Sequence, residues 1–187
     1  MATSTLYSCV SDRVGTVAER RIIGANDRIN IAIIGIRSRG RKLAENFAGM
    51  PNVRVKTLCD IDENLYSERV KLISGIQKSQ PITENDLRRV FDDKDIDAVV
   101  VATPNHWHAL AAIWACQAGK HVYVEKPCAH NIWEGRRIVE AAEKYGSIVA
   151  VGLQSRSHKN VQEAMKFIHS GGLGEVYMAR GLSLKPR

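Results

Sequence analysis

No stretch of the 187-residue sequence approaches the ~20 consecutive apolar residues that a membrane-spanning helix requires. A membrane partner is therefore not expected, and the expected location is the cytoplasm. The first 28 residues also lack the central apolar stretch of a secretory signal. Arg20-Arg21 resembles a twin-arginine pair, but "IIGANDR" follows it where an apolar core would stand. Residues 1–28 accordingly read as a partly ordered leader. The four cysteines, Cys9, Cys59, Cys116 and Cys128, form no C-x-x-C pair, which argues against zinc, and no metal site is expected. Cys59 and Cys116 lie in apolar runs and read as core thiols. Such usage fits a reducing compartment.

Acidic residues are in deficit, 20 against 27 basic ones, for a formal net charge of +7. A basic chain can be a nucleic-acid binder, but the distribution argues otherwise. Residues 1–42 hold eight basic side chains (Arg13, Arg20, Arg21, Arg28, Arg37, Arg39, Arg41 and Lys42) against three acidic ones (Asp12, Glu19 and Asp27). Four of the eight lie in or just after a glycine-marked turn. A local positive field there suits a phosphate-bearing small molecule better than nucleic acid.

What the sequence has in quantity is apolar residues, 44%, which is enough for a packed core. They are arranged in alternation. "INIAII" is a short β-branched run typical of a strand buried on both faces. "SRGRKLAENFAG" follows at helical spacing, and "VRVKTLCD" returns to strand. Residues 62–78 read as a helix. In "ITENDLRRVFDD" a short helix is expected, with Thr83 as N-cap and Asp86 completing a capping box. "IDAVVVAT" is a strand, and "PNHWHALAAIWACQAG" a helix opened by Pro and closed by Gly119. "KHVYVEKP" is a strand. "NIWEGRRIVEAAEKYG" is a helix with Asn131 and Glu134 in capping-box positions. "SIVAVGLQ", "HKNVQEAMKFIHSG" and "GEVYMARGLSL" read as strand, helix and strand. Strands separated by helices imply right-handed parallel crossovers. The expected fold class is α/β: a doubly wound, Rossmann-type parallel sheet with helices on both faces. Ligands of such sheets bind beyond the carboxyl ends of the strands.

The first such end is "GIRSRG", residues 35–40. It almost spells the dinucleotide fingerprint G-x-G-x-x-G. Gly35 would permit the tight turn, and Gly40 would let the helix pack against the strand. The helix N-terminus would then offer free N–H groups to a pyrophosphate. The middle glycine is missing, and Arg37 stands in its place. Its side chain would crowd the phosphate unless it turned outward, where its guanidinium could pair with phosphate. Gly35, Ile36, Arg37, Ser38, Arg39 and Gly40 are thus the expected cofactor turn. Asp60 ends the second strand, 20 residues after Gly40. A carboxylate there accepts hydrogen bonds from the adenosine ribose and repels a 2′-phosphate, favouring NAD over NADP. Asp60 could equally be a turn or N-cap residue, since "CDIDE" also opens a helix.

"VATPNHWHA" and "AGKHVYVEKP" are more specific. With "GANDRINIAIIG" and "GLQSR" they resemble the Gfo/Idh/MocA family of NAD(P)-dependent oxidoreductases over residues 26–187. The family's turn often reads G-x-G-x-R-G, so Arg39 and Gly40 match it and Arg37 departs. The resemblance implies that Thr103, Pro104, Asn105 and His106 form the loop beside the cofactor's ribose and nicotinamide. Two alternatives stay open: Asn105 as a helix cap, and His106 as a first-turn residue without catalytic duty. His106 and His108 do not share a helix face, which speaks against a metal pair. Trp107 and Trp114 are expected to be packing residues. Glu125, Lys126 and Pro127 match the family's E-K-P. By resemblance Lys126 is the catalytic candidate, between nicotinamide ribose and substrate hydroxyl. An ammonium there would orient the alcohol and stabilise charge as its proton leaves. The bland reading is a surface lysine paired with Glu125. Gln154 and Arg156 resemble family residues near the nicotinamide and the domain junction.

The resemblance also implies a second α+β domain that supplies acid/base residues, substrate pocket and an oligomer interface. Residues 29–155 would be the dinucleotide-binding domain, and 156–187 the truncated start of the second. The expected activity is NAD-linked oxidation of a sugar or polyol hydroxyl, incomplete in this chain alone. A relative using NAD for glycoside cleavage, and a non-catalytic nucleotide-binding or interaction domain, are the alternatives.

Overall fold

The computed structural model describes residues 28–182. The expected leader, with Cys9 and Arg20-Arg21, lies outside the described residues, apart from Arg28. Strands and helices alternate: β1 (Ile29–Ile34), α1 (Ser38–Ala48), β2 (Val53–Cys59), α2 (Tyr66–Gln77), β3 (Ile82–Glu84) and α3 (Leu87–Asp92). Then come β4 (Ala98–Val101), α4 (His108–Gln117), β5 (His121–Glu125), α5 (Ile132–Tyr145), β6 (Val149–Gly152) and α6 (Lys159–His169). The strands form one parallel sheet in the order β3-β2-β1-β4-β5-β6. That is the doubly wound arrangement, with its topological switch between β1 and β4.

The continuous apolar runs are explained by a core on each face. Along β1, Ile31 and Ile33 join Leu43, Val55, Leu58 and Ile73 in one buried cluster. Ala32 and Ile34 join Val99, Val101, Ala112 and Val124 in the other. Successive side chains of a strand point to opposite faces, so a strand covered on both must be apolar throughout. The alanines of α4 (Ala109, Ala111, Ala112 and Ala115) are all buried, which lets that helix lie close to the sheet. α5 is capped as expected: the Glu134 N–H donates to Asn131 Oδ1 at 2.9 Å, and its carboxylate accepts from the His130 N–H at 2.9 Å.

Two expectations are corrected. Ile82–Glu84 is not helical: it pairs with Thr57–Cys59 as a sixth strand, and the N-cap of α3 is Asp86, not Thr83. The Asp86 carboxylate accepts from the Arg88 N–H at 2.9 Å. A three-residue strand made by a neighbour's ladder carries almost no pattern of its own. Residues 175–182 form no strand either. A strand is defined by its ladder, and β-propensity alone does not make one.

The chain divides into one compact unit ending at Gly152 and a second beginning at Leu153. The described part of the second contains α6 and a short 3₁₀ turn, Gln154–Ser157. Within it only Ile168 is half-buried, and every other described residue is exposed.

Candidate functional site

The turn after β1 is shaped by two glycines that tolerate nothing larger. Gly35 has φ +85°, and a Cβ there would come within 2.8 Å of the Ala102 carbonyl group. A Cβ on Gly40 would lie 1.6 Å from the Gly35 carbonyl oxygen. The first turn of α1 is thereby pressed against the end of β1. No side chain caps α1. Its first amides are left pointing out of the helix with the positive end of its dipole.

Distant side chains clamp this turn. The Ile36 N–H donates to Asp60 Oδ2 at 2.8 Å, and Arg69 Nε, buried, donates to the Ile36 carbonyl at 3.1 Å. The Ile36 side chain is fully buried, so Ile36 belongs to the scaffold. Asp60 Oδ1 accepts from the Asp62 N–H at 3.0 Å. Asp60 thus fixes the turn and the start of the next loop, while the 3₁₀ turn that follows is capped by Asp62. Arg39 Nε donates to Glu125 Oε1 at 2.7 Å. That hydrogen bond raises the Arg39 guanidinium above its ordinary range. Ser38 is exposed at the start of α1. Arg37, in the place of the middle glycine, pairs with Asp62 Oδ2 at 2.5 Å.

A cleft of about 900 Å³ opens beyond the carboxyl ends of β1, β2 and β4. Gly35, Arg37, Asp60, Ile61 and Asp62 line one wall, Asn85 to Arg88 a second, and Thr103, Pro104, His106, Trp107 and Trp114 a third. Its size is that of pockets for cofactor-sized ligands. Ile61 offers an exposed apolar surface beside Asp60. Cys59, on the floor, has its thiol pushed up to about 12 by burial and then by Glu84, Asp60 and Asp86. It stays neutral at physiological pH. Thr103 Oγ1 is buried without a hydrogen-bond partner. An orphaned hydroxyl, uncapped helix amides and a glycine cradle together fit a phosphate- and ribose-bearing ligand.

Pro104 opens a 3₁₀ turn over Asn105–Trp107. Asn105 lies inside that turn and caps neither it nor α4. His106 is exposed beside Trp107, their ring centroids 6.5 Å apart. Trp114 packs against the core and also reaches the cleft, whereas Trp107 is exposed on its wall, contrary to a packing role. Glu125 ends β5 and Lys126 follows it, both outside the cleft lining. Glu125 is buried and bonded to Arg39, not to Lys126, which is exposed. The Lys126-Pro127 bond is cis. Gln154 and Arg156 belong to the second unit. Among the described residues, no group of three or more His, Cys, Asp or Glu side chains could hold a metal ion. No helix among them is long and apolar enough to cross a membrane.

The structure adds His108 to the site. It is buried, with Nδ1 2.6 Å from the Pro127 carbonyl oxygen and Nε2 2.8 Å from that of Thr103. One ring therefore ties the loop after β4 to the loop after β5. Its sequence signal is a polar residue inside the otherwise apolar α4.

An uncapped helix aimed across glycines into a cleft at the β1/β4 switch is how Rossmann-type domains take dinucleotides, and this chain contains such a domain. The family model described as "oxidoreductase family, NAD-binding Rossmann fold" (Gfo/Idh/MocA) matches residues 29–153. The chain belongs to the Gfo/Idh/MocA family. It is 31% identical over 166 residues to a levoglucosan dehydrogenase of Pseudarthrobacter phenanthrenivorans, covering 84% of this chain and 41% of that one. It is likewise 31% identical over 127 residues to a glycosyl hydrolase family 109 protein of Shewanella pealeana, covering 66% of this chain and 28% of that one. The crystal structure of an NAD binding oxidoreductase from Klebsiella pneumoniae superposes with a TM-score of 0.65 at 28% identity, covering 79% of this chain and 40% of that one. The chain thus spans less than half the length of these relatives.

Proposed function

We propose that this chain is the cofactor-binding part of a dehydrogenase that oxidises a secondary hydroxyl of a sugar or polyol, using NAD in preference to NADP. The observation that carries this reading is Asp60. Its carboxylate stands at the end of β2, bonded to the phosphate turn through the Ile36 N–H and lining the same cleft. A carboxylate so placed accepts from ribose hydroxyls and repels a 2′-phosphate. Bound NAD supplies the hydride acceptor.

The remaining work falls to the chain's own groups. The amides of residues 38–40 hold pyrophosphate, and the free Thr103 hydroxyl is available to the nicotinamide half. Arg39 acts from beneath: pinned by Glu125, it braces the turn. Lys126 orients the substrate hydroxyl and stabilises its oxygen as the proton leaves. Residues 156–187 would lead into the part that holds the substrate. In the whole protein, assayed with NAD and a panel of sugars and polyols, Lys126→Ala is expected to lower kcat about 100-fold or more with little change in NADH affinity. An unchanged kcat would remove Lys126 from the chemistry.

The likeness to glycosyl hydrolase family 109 proteins supports a second reading, NAD-assisted glycoside cleavage. Release of an aryl leaving group from a glycoside, without net NADH formation, distinguishes it from the first.

A further inference from the structure

Resting on the reading that this cleft holds NAD, we infer that Asp62 is a second determinant of cofactor specificity. It acts by engaging the Arg37 guanidinium, so that this group is not available to a 2′-phosphate on the adenosine ribose. Three carboxylates line the cleft, Asp60, Asp62 and Asp86, against two guanidinium groups, Arg37 and Arg88. Both guanidinium groups are already engaged. Arg88 makes a two-point contact with Asp86, Nε to Oδ1 at 2.9 Å and Nη2 to Oδ2 at 2.6 Å. Arg37 Nη2 donates to Asp62 Oδ2 at 2.5 Å.

Arg37 is the residue following Ile36, whose N–H binds Asp60, so its backbone sits beside the carboxylate that reads the ribose. Its side chain is largely exposed and long enough to swing, and the bond to Asp62 decides its direction. With that bond in place, a 2′-phosphate would meet the negative Asp60 and Asp62 and no uncommitted guanidinium in the cleft lining. Without it, one negative charge is gone and a guanidinium beside the ribose is free. An arginine near the ribose is what accommodates a 2′-phosphate in such folds.

Asp62→Asn separates these effects from simple damage. The asparagine keeps an oxygen that can accept from the Asn64 N–H, as Asp62 Oδ1 does now, so the following turn keeps its cap. Asp62→Ser, which can also cap, is the second variant. The full 187-residue chain is titrated with NADH and NADPH by nucleotide fluorescence, with far-UV circular dichroism on each variant. The ratio of the NADPH to the NADH dissociation constant is expected to fall about tenfold in Asp62→Asn and in Asp62→Ser. In the double variant Arg37→Gln/Asp62→Asn it is expected to return toward the parent ratio.

An unchanged ratio in both single variants overturns the inference. So does a fall that persists in the double variant, because Arg37 would then not be the responsible group. Equal tightening for both nucleotides also overturns it, since Arg37 would be reaching the pyrophosphate common to both. A folded parent chain that binds neither nucleotide overturns the NAD reading itself, and this inference with it.

Discussion

Two of the three walls of the cleft are held by different means. The turn wall is defined by close backbone approach and by several separate polar bonds: Gly40 fits against the Gly35 carbonyl, and Asp60, Arg69 and Glu125 fasten the residues between them. The wall formed by the loop after β4 is tied to the loop after β5 by the buried His108 ring. The first arrangement leaves side chains free to vary where they point outward. That is how Arg37 occupies a glycine's position without closing the cleft, its guanidinium drawn off to Asp62. The second has no such latitude, because removing the ring leaves a void and unties the two loops.

The contrast is sharpest at the glycines. Gly40→Ala places a Cβ on backbone, which cannot move aside as a flexible side chain could. We expect a loss of about 3 kcal/mol or more of stability, read as a large fall in Tm, and loss of nucleotide binding. His108→Ala should cost about 2–4 kcal/mol by leaving a cavity and removing the ring's hydrogen bond to a loop carbonyl. Faster hydrogen exchange at residues 103–107 and 126–128 together would show that one ring holds both loops. Exchange rising in only one loop would break that link.

Asp60→Ala comes next. It removes the acceptor of two N–H groups and, on the proposed function, the ribose contact. NADH affinity is expected to fall about tenfold or more, with NADPH less affected. Unchanged NADH affinity would leave Asp60 as a turn residue alone. Arg37→Gly should have the smallest effect. Because the Arg37 guanidinium is already engaged by Asp62, restoring the fingerprint glycine is expected to change NADH affinity by less than about threefold and to cost at most about 1 kcal/mol of stability. A large gain in affinity would mean that Arg37 obstructs phosphate after all.

Much of this arrangement is legible in the sequence where the signal is local. β1, the glycine turn, α1 and the acid at the end of β2 follow one another within residues 29–60, and each carries its own pattern. Asn131 and Glu134 announce the start of α5 because both partners of the cap lie within one turn. The clamps leave no such local trace. Arg69 reaches a carbonyl 33 residues away, Arg39 a carboxylate 86 away, and His108 a carbonyl 19 away. In the sequence Arg69 is one residue within the helix read over 62–78, and Glu125 one member of a familiar tripeptide. Only the fold shows that each bonds to the turn. The pairing of Arg37 with Asp62 belongs here too: each residue is conspicuous, but their 25-residue separation hides the bond. β3 is hidden because its three residues take their conformation from β2.

The most direct measurement is titration of the purified 187-residue chain with NADH and NADPH, following nucleotide fluorescence. Saturable binding, tighter for NADH, is the predicted result, and it would show that a turn with arginine in place of its middle glycine still holds a dinucleotide. A chain that is folded by circular dichroism yet binds neither nucleotide, or prefers NADPH, would contradict it.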